Sequence, residues 1–146
     1  MANSSRLSSV LRVAQSLEQE AARVVGSWQT RVQEKSARLT ELRRYYAEYA
    51  AGSRDLRGQT ICAADVRDRG AFVSKLHDAI QRESDAWKRL QSELKIYISR
   101  WESARAHAQA MRKLVARDTQ RLQQRAARRE QAATDEFLST KSRSAV

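Results

Sequence analysis

The pattern of apolar and polar positions predicts a long helix over the second half of the chain. Apolar residues recur there at alternating steps of three and four. The stripe consists of Val73, Leu76, Ile80, Glu83, Trp87, Leu90, Leu94, Tyr97, Trp101, Ala104, Ala108, Met111, Val115, Asp118 and Leu122. No proline interrupts it, because the chain contains none. A stripe this narrow indicates a helix that packs against another helix and not against a globular core.

A similar stripe runs through the first third of the chain. It consists of Leu7, Val10, Ala14, Leu17, Ala21, Val24, Trp28, Val32, Lys35, Leu39, Leu42, Tyr46 and Tyr49. Two four-residue steps follow one another around Trp28, and this stutter predicts local unwinding of a supercoil. The tryptophans of both stripes are interpreted as packing residues, since each lies at a stripe position. The sequence therefore predicts two helices with complementary apolar seams.

The stretch between the stripes predicts one turn, because Gly52 and Gly58 lie in a polar segment there. We predict an all-α fold, a long antiparallel two-helix coiled coil (an α-hairpin) in a single domain of residues 1–146. The expected elements are a first helix over about 4–50, a turn over about 51–62, a second helix over about 63–138 and a disordered tail over about 139–146.

The position of the turn also predicts the register of the two helices. An antiparallel pair closed at this turn sets Tyr49 opposite Phe72 and Leu7 roughly opposite Leu114. In this register the first helix ends while the second continues. We therefore expect the second helix to overhang at the C-terminus from about Asp118 onward.

Charge and cysteine content limit the class of partner and the compartment. The net charge is +11, and most of the 28 basic residues are arginine, whose planar guanidinium suits carboxylates and phosphates. Acidic partners are therefore expected. One cysteine, Cys62, excludes an internal disulfide framework and fits a reducing compartment. No signal-peptide core or membrane-length apolar run is present, so the sequence predicts a cytoplasmic protein without direct membrane insertion.

The predicted overhang carries a basic row at four-residue spacing. The row consists of Lys113, Arg117, Arg121, Arg125 and Arg129. Like charges at this spacing destabilise a helix by about 0.2–0.5 kcal/mol per pair. Two interpretations stay open, a solvated face and a docking face for an acidic surface. Nucleic-acid binding is the weaker interpretation, because no aromatic residues are interleaved to stack on bases.

A second stripe lies beside the seam near the turn. It consists of Arg38, Leu42, Tyr45 and Tyr49 on the first helix and Phe72, Leu76, Ala79 and Glu83 on the second. The predicted register sets the two halves side by side, so this region is more apolar than a two-helix seam requires. Either the core is locally wider, or an exposed aromatic patch binds a protein.

Catalytic and metal chemistry find no support in the residues. His77 and His107 are far apart, and together with one cysteine they give no metal-ligand spacing. No glycine-rich phosphate loop is present. Cys62 lies in the predicted turn and is interpreted as a bystander thiol. We therefore predict a protein that is not an enzyme and holds no cofactor or metal.

An ordered set of residues carries a family resemblance over nearly the whole chain. The set comprises Ala21-Ala22-Arg23, Leu42, Tyr45, Tyr49, Phe72, Leu76, Ala79-Ile80, Trp87, Trp101, Glu130-Gln131 and Asp135-Glu136-Phe137. In these positions the chain resembles the FliJ family, the soluble stalk component of the bacterial flagellar type III export apparatus. The resemblance implies the antiparallel hairpin already predicted, similar to the central stalk subunit of rotary ATPases.

The resemblance also implies partners and a location. The end bearing both termini would enter the pore of the hexameric flagellar export ATPase, where we expect the basic row to meet acidic residues. The patch of Leu42, Tyr45, Tyr49, Phe72, Leu76 and Ala79 would contact the cytoplasmic domain of the membrane export gate. Export chaperones are further implied partners. The protein would be a monomer alone, cytoplasmic, and peripheral to the inner membrane at the flagellar base.

Three alternative functions stay open at the level of sequence. The nearest is the equivalent stalk protein of a virulence type III secretion system. A basic coiled-coil nucleic-acid-binding protein belongs to a different class and would show strongly salt-dependent binding. A plain structural coiled-coil dimer is the third, and sedimentation would distinguish it from a self-contained hairpin.

Overall fold

The computed structural model describes residues 2–55 and 62–145, with side chains over 3–52 and 62–145. These residues form two α-helices, α1 over Ala2–Asp55 and α2 over Ala63–Ser144. The described part contains no strand. The prediction of an all-α antiparallel two-helix coiled coil, with α2 overhanging at the C-terminus, is confirmed.

Both helices are longer than the sequence pattern indicated. α1 continues through Gly52 to Asp55, and no described residue takes a positive φ. Glycine permits a turn without imposing one, and inside a helix it costs only about 1 kcal/mol relative to alanine. The turn predicted over 51–62 therefore begins later than expected. Gly58 and the remainder of that turn lie outside the described residues.

α2 has favourable interactions at each of its ends. The Cys62 carbonyl accepts hydrogen bonds from the backbone N–H groups of Asp65 (3.0 Å) and Val66 (3.4 Å). At the other end the helix reaches Ser144, with Lys141 and Arg143 in its last turn. Cations there complement the negative end of the helix dipole. The tail predicted to be disordered from residue 139 is thus helical up to Ser144.

The chain divides into two compact units, each made of one segment of α1 and one of α2. The terminal unit comprises Met1–Glu20 and Glu102–Val146, and the central unit is Ala21–Trp101. The core of the terminal unit contains Ala14, Ala108 and Met111, packed against by Leu7 and Leu11. Ala108 is fully buried. Alanine on both helices lets the two backbones approach closely at this point.

The central unit is held by larger side chains. Val25 and Leu39 are its buried residues. The Trp28 ring stacks on Tyr97 with a centroid distance of 5.0 Å and an interplanar angle of 21°. The guanidinium of Arg31 lies 4.8 Å from the Trp28 centroid, and that of Arg100 lies 5.3 Å from the Tyr97 centroid. Trp28 therefore packs as predicted, within a stack of two rings and two cations.

The seam of α2 follows the predicted stripe, whereas that of α1 differs from it. On α2 every stripe position from Val73 to Asp118 is at least partly buried. On α1, Val10 and Leu17 are 45% and 58% exposed. The observed α1 seam is Leu7, Leu11, Ala14, Glu18, Ala21, Val25, Trp28, Val32, Lys35, Leu39, Leu42 and Tyr46.

This corrected seam alternates steps of four and three without interruption, so the stutter predicted at Trp28 is wrong. Apolar spacing alone favours Leu17 over Glu18 and does not distinguish Val10 from Leu11. Glu18 can occupy the seam because its carboxylate accepts a hydrogen bond from Arg112 of α2 at 3.1 Å. A paired carboxylate loses much less on partial burial than an unpaired one.

The seam ends before α2 does. Every described side chain from Thr119 onward is exposed, and we call residues 119–144 the overhang. At 1.5 Å per residue this segment is about 40 Å long. Within the described residues, neither helix has a stretch long and apolar enough to cross a membrane.

Candidate interaction surfaces

The turn-side patch brings the predicted aromatic residues of α1 and α2 into contact. The rings of Tyr49 and Phe72 lie 4.8 Å apart between centroids, tilted by 53°. This is the pairing that the predicted register required. Both rings are close to half exposed, at 46% for Tyr49 and 45% for Phe72. The contact joins the two helices and still leaves aromatic surface open to solvent.

The remaining patch residues divide into a partly buried base and an exposed edge. Leu42, Leu76 and Ala79 are partly buried. Tyr45 is 44% exposed, and the Arg44 guanidinium lies 5.4 Å from its ring centroid. The patch therefore combines a wider local core with an exposed aromatic surface. That it binds a protein stays a prediction.

An ion pair crosses the seam next to this patch. Lys35 Nζ lies 2.6 Å from Glu83 Oε2, and both side chains are less than one third exposed, at 29% and 23%. The hydrogen bond from Lys35 lowers the pKa of Glu83 below its ordinary value of 4.5, against burial, which raises it. The charges of Lys35 and Arg38 lower it further. Glu83 is therefore ionised within the seam.

Sequence reasoning did not identify this pair, although both residues were predicted at seam positions. The sequence does contain a signal for the pair, because Lys35 and Glu83 have opposite charges and lie at nearly facing seam positions in the predicted register. Four residues after Glu83 on α2, Trp87 Nε1 is buried without a hydrogen-bond partner among the described residues. Trp87 is thus a packing residue, as predicted, whose indole N–H adds no hydrogen bond within the described structure.

The basic row is exposed to solvent. Its five residues, Lys113, Arg117, Arg121, Arg125 and Arg129, are exposed. None of them forms an ion pair within the described part of the chain. Gln120 and Gln124 line a shallow groove together with Arg117 and Arg121. The groove thus offers amide and guanidinium donors side by side.

The row also changes position relative to the seam. Continuing the alternating steps beyond Leu122 gives Arg125 and Arg129 as the next seam positions. The face that packs on α1 in the terminal unit therefore carries two arginines, Arg125 and Arg129, in the overhang. A charged face does not favour a further apolar helix, so the overhang is suited to a polar, acidic environment.

The described residues include no group of three histidine, cysteine or acidic side chains that could hold a metal ion. Cys62 is exposed, immediately before α2. The two surfaces present charged and aromatic side chains on helical faces.

One of the comparisons with known proteins gives a match, and it covers nearly the whole chain. The family model described as Flagellar FliJ protein matches residues 3–145. No curated protein and no solved structure matches the chain. Members of the matched family are non-enzymatic components of flagellar type III protein export. Since the match covers nearly all residues, the chain belongs to the flagellar FliJ protein family.

Proposed function

We propose that the protein is the stalk and general chaperone component of the flagellar export apparatus. In this role the end bearing both termini enters the hexameric export ATPase, and the turn-side patch contacts the cytoplasmic domain of the membrane export gate. The observation that carries the proposal is the overhang. This long exposed segment of α2 continues beyond the part of the helix that packs on α1, and it bears basic residues.

The overhang has little to keep it helical on its own. An isolated helix gains little from propensity alone, and most helical stability in proteins comes from packing. The exposed like charges of the basic row add a further cost. Both costs are offset when the helix is surrounded by carboxylates, because guanidinium–carboxylate pairs are strong, directional contacts. An acidic pore is such an environment.

The turn-side patch supports the second contact. Aromatic residues are enriched at the centres of protein interfaces, and Tyr45, Tyr49 and Phe72 expose close to half of their surface. The partly buried aliphatic base holds them in place. We propose the export gate as the occupant. The protein would thus work in the cytoplasm at the flagellar base, peripheral to the membrane, and hand export chaperones on.

Charge reversal in the basic row tests the ATPase contact. Arg117→Glu, Arg121→Glu and Arg125→Glu combined should weaken binding to the purified export ATPase by at least tenfold, since several charge pairs become repulsive. A matched control reverses Arg43, Arg67 and Arg69, which are exposed in the central unit. The control gives the same net charge and should retain most of the binding.

The measurement is a pull-down or a titration at physiological ionic strength. Equal binding by the two triple variants would contradict a specific role of the row. Absence of binding by the unmodified chain would contradict the stalk proposal as a whole.

A further inference from the structure

A third surface lies in the terminal unit. Val10, Val13 and Leu17 of α1 are 45%, 60% and 58% exposed, and Leu114 of α2 is 45% exposed. The three α1 residues are spaced three and four apart, so they lie along one face of the helix. None of them is a seam residue of the observed helix pair, since Leu11 and Ala14 have that role.

The four residues share one flank of the helix pair. With the seam residues numbered as heptad positions a and d, Val10 and Leu17 are g positions of α1, and Leu114 is a g position of α2. Val13 is at c, which neighbours g on the helix surface. In an antiparallel pair the g positions of both helices border the same side of the seam. We call these four residues the apolar flank.

The opposite flank of the same unit has a different character. Its positions on the two helices are Ser8, Gln15, Arg112 and Thr119. Arg112 there is engaged with Glu18. Scattered exposed apolar residues are ordinary on any protein. Four large ones at helical spacing, all on one flank and none on the other, form a contiguous stripe of the kind that binds another helix.

The charges around the apolar flank indicate which helix it binds. Arg6, Arg117 and Arg121 occupy c and g positions on this side and are exposed. None of the three forms an ion pair among the described residues. Glu20, an acidic residue at a c position of α1 on the same side, already has an interaction within the chain. A second copy would set arginine against arginine at a net charge of +11 each, whereas an acidic helix is complementary.

We propose that the apolar flank binds an amphipathic helix of another protein, one whose apolar stripe is bordered by acidic residues. The bound helix completes a three-helix bundle in the terminal unit. Its apolar stripe covers Val10, Val13 and Leu17, and its acidic border meets Arg117 and Arg121. This assignment is additional to the ATPase and gate contacts proposed above, and it shares Arg117 and Arg121 with the ATPase contact.

The test uses the full-length chain and a labelled synthetic helical peptide with leucine on its apolar face and glutamate at the flanking positions. Fluorescence anisotropy should detect binding. The double variant Val13→Ser, Leu17→Ser should bind at least about tenfold more weakly, because two apolar contacts are lost. Both residues are exposed, so circular dichroism should show unchanged helicity.

Two controls make the result specific. The double variant Val66→Ser, Ile96→Ser removes apolar residues of 58% and 48% exposure from the central unit and should bind the peptide as the unmodified chain does. A peptide with lysine in place of glutamate should bind at least about tenfold more weakly.

Several outcomes would overturn the proposal. They are no binding of the acidic peptide, an equal loss in both double variants, and equal binding of the two peptides. A full-length dimer in sedimentation that Val13→Ser, Leu17→Ser dissociates would identify the occupant as a second copy instead.

Discussion

At the scale of single residues, the Lys35–Glu83 pair is unusual because it places two opposite charges inside an apolar seam. Each charge depends on the other, since a partly buried charge left alone retains the cost of desolvation without compensation. A polar pair at one seam position also disfavours helix pairings that would set either residue against an apolar partner. The pair thus contributes to register as well as to stability.

The lowered pKa of Glu83 predicts a pH dependence of stability. A carboxyl with a lowered pKa in the folded state stabilises the fold above its ordinary value of 4.5 and loses that contribution as the pH falls through the folded pKa. Glu83→Gln should lower stability by about 1 kcal/mol at neutral pH. The difference from the unmodified protein should shrink in acid.

Thermal melts from neutral pH to below 4.5 check this. Glu102→Gln, at an exposed carboxyl, is the matched control. A difference between Glu83→Gln and the unmodified chain that stays constant over this range would argue against the pair as its source.

The exposed aromatics of the turn-side patch predict a separation of binding from stability. Tyr45→Ala with Phe72→Ala should reduce affinity for the cytoplasmic domain of the export gate by at least about tenfold, as loss of interface aromatics does. The melting temperature should fall by only a few degrees, because both rings are near half exposed. Surface plasmon resonance and circular dichroism measure the two effects. A large loss of stability with unchanged affinity would mean that the patch is only core.

At the scale of elements, the terminal unit depends on close contact between α1 and α2 at Ala14 and Ala108. Ala108 has no exposed surface, so a larger side chain must push the helices apart. Ala108→Leu should destabilise the protein by about 1–3 kcal/mol. Ala110→Leu, at an exposed position on the same helix, should change stability by less than about 0.5 kcal/mol. Equal melting temperatures for the two variants would refute this packing.

The overhang predicts the opposite response to removal. Deleting residues 119–146 takes away no described side chain that is buried. The melting temperature of the shortened protein should therefore stay within about 3 °C of the original. Total ellipticity should fall, because a helical segment has been lost. Strong destabilisation on truncation would show that the overhang packs on the pair.

Only some features of these elements follow from the local sequence. Helix type, number and direction follow from the spacing of apolar residues, and the Tyr49–Phe72 pairing follows from the position of the turn. The choice between Val10 and Leu11 does not, because both residues are apolar and one step apart. Only the partner helix decides between them. The same limitation hid the apolar flank, which had been assigned in part to the seam.

The residues at which the helices end could not be predicted from the local sequence either. Gly52 suggested a turn that α1 does not make, and the polar residues after Leu138 suggested disorder where α2 continues. Favourable capping charges at Lys141 and Arg143 were readable in the sequence. The sequence does not show whether these charges outweigh the polar composition of the segment. The residues of both predicted surfaces follow from their spacing in the sequence. The exposure of each side chain depends on how the two helices pack, so it could not be predicted.

At the scale of the whole molecule, the net charge of +11 predicts a strong dependence of partner binding on salt. Exposed charge pairs are screened over a distance of about 8–10 Å at physiological ionic strength. Binding of the export ATPase should therefore weaken by at least about tenfold between low and high salt, mainly through slower association. Stopped-flow measurements at several salt concentrations test this. Salt-independent association would indicate that apolar contacts dominate.

The end of the seam at Asp118 has a thermodynamic consequence for any partner that encloses the overhang. Up to that residue the chain supplies the packing that keeps α2 helical; beyond it, the surroundings must. A ring that grips the overhang would then also provide part of the free energy of forming that helix, so binding and folding are coupled there. Such coupling lowers affinity for a given contact area. It would let small changes in the shape of the ring hold or release the helix.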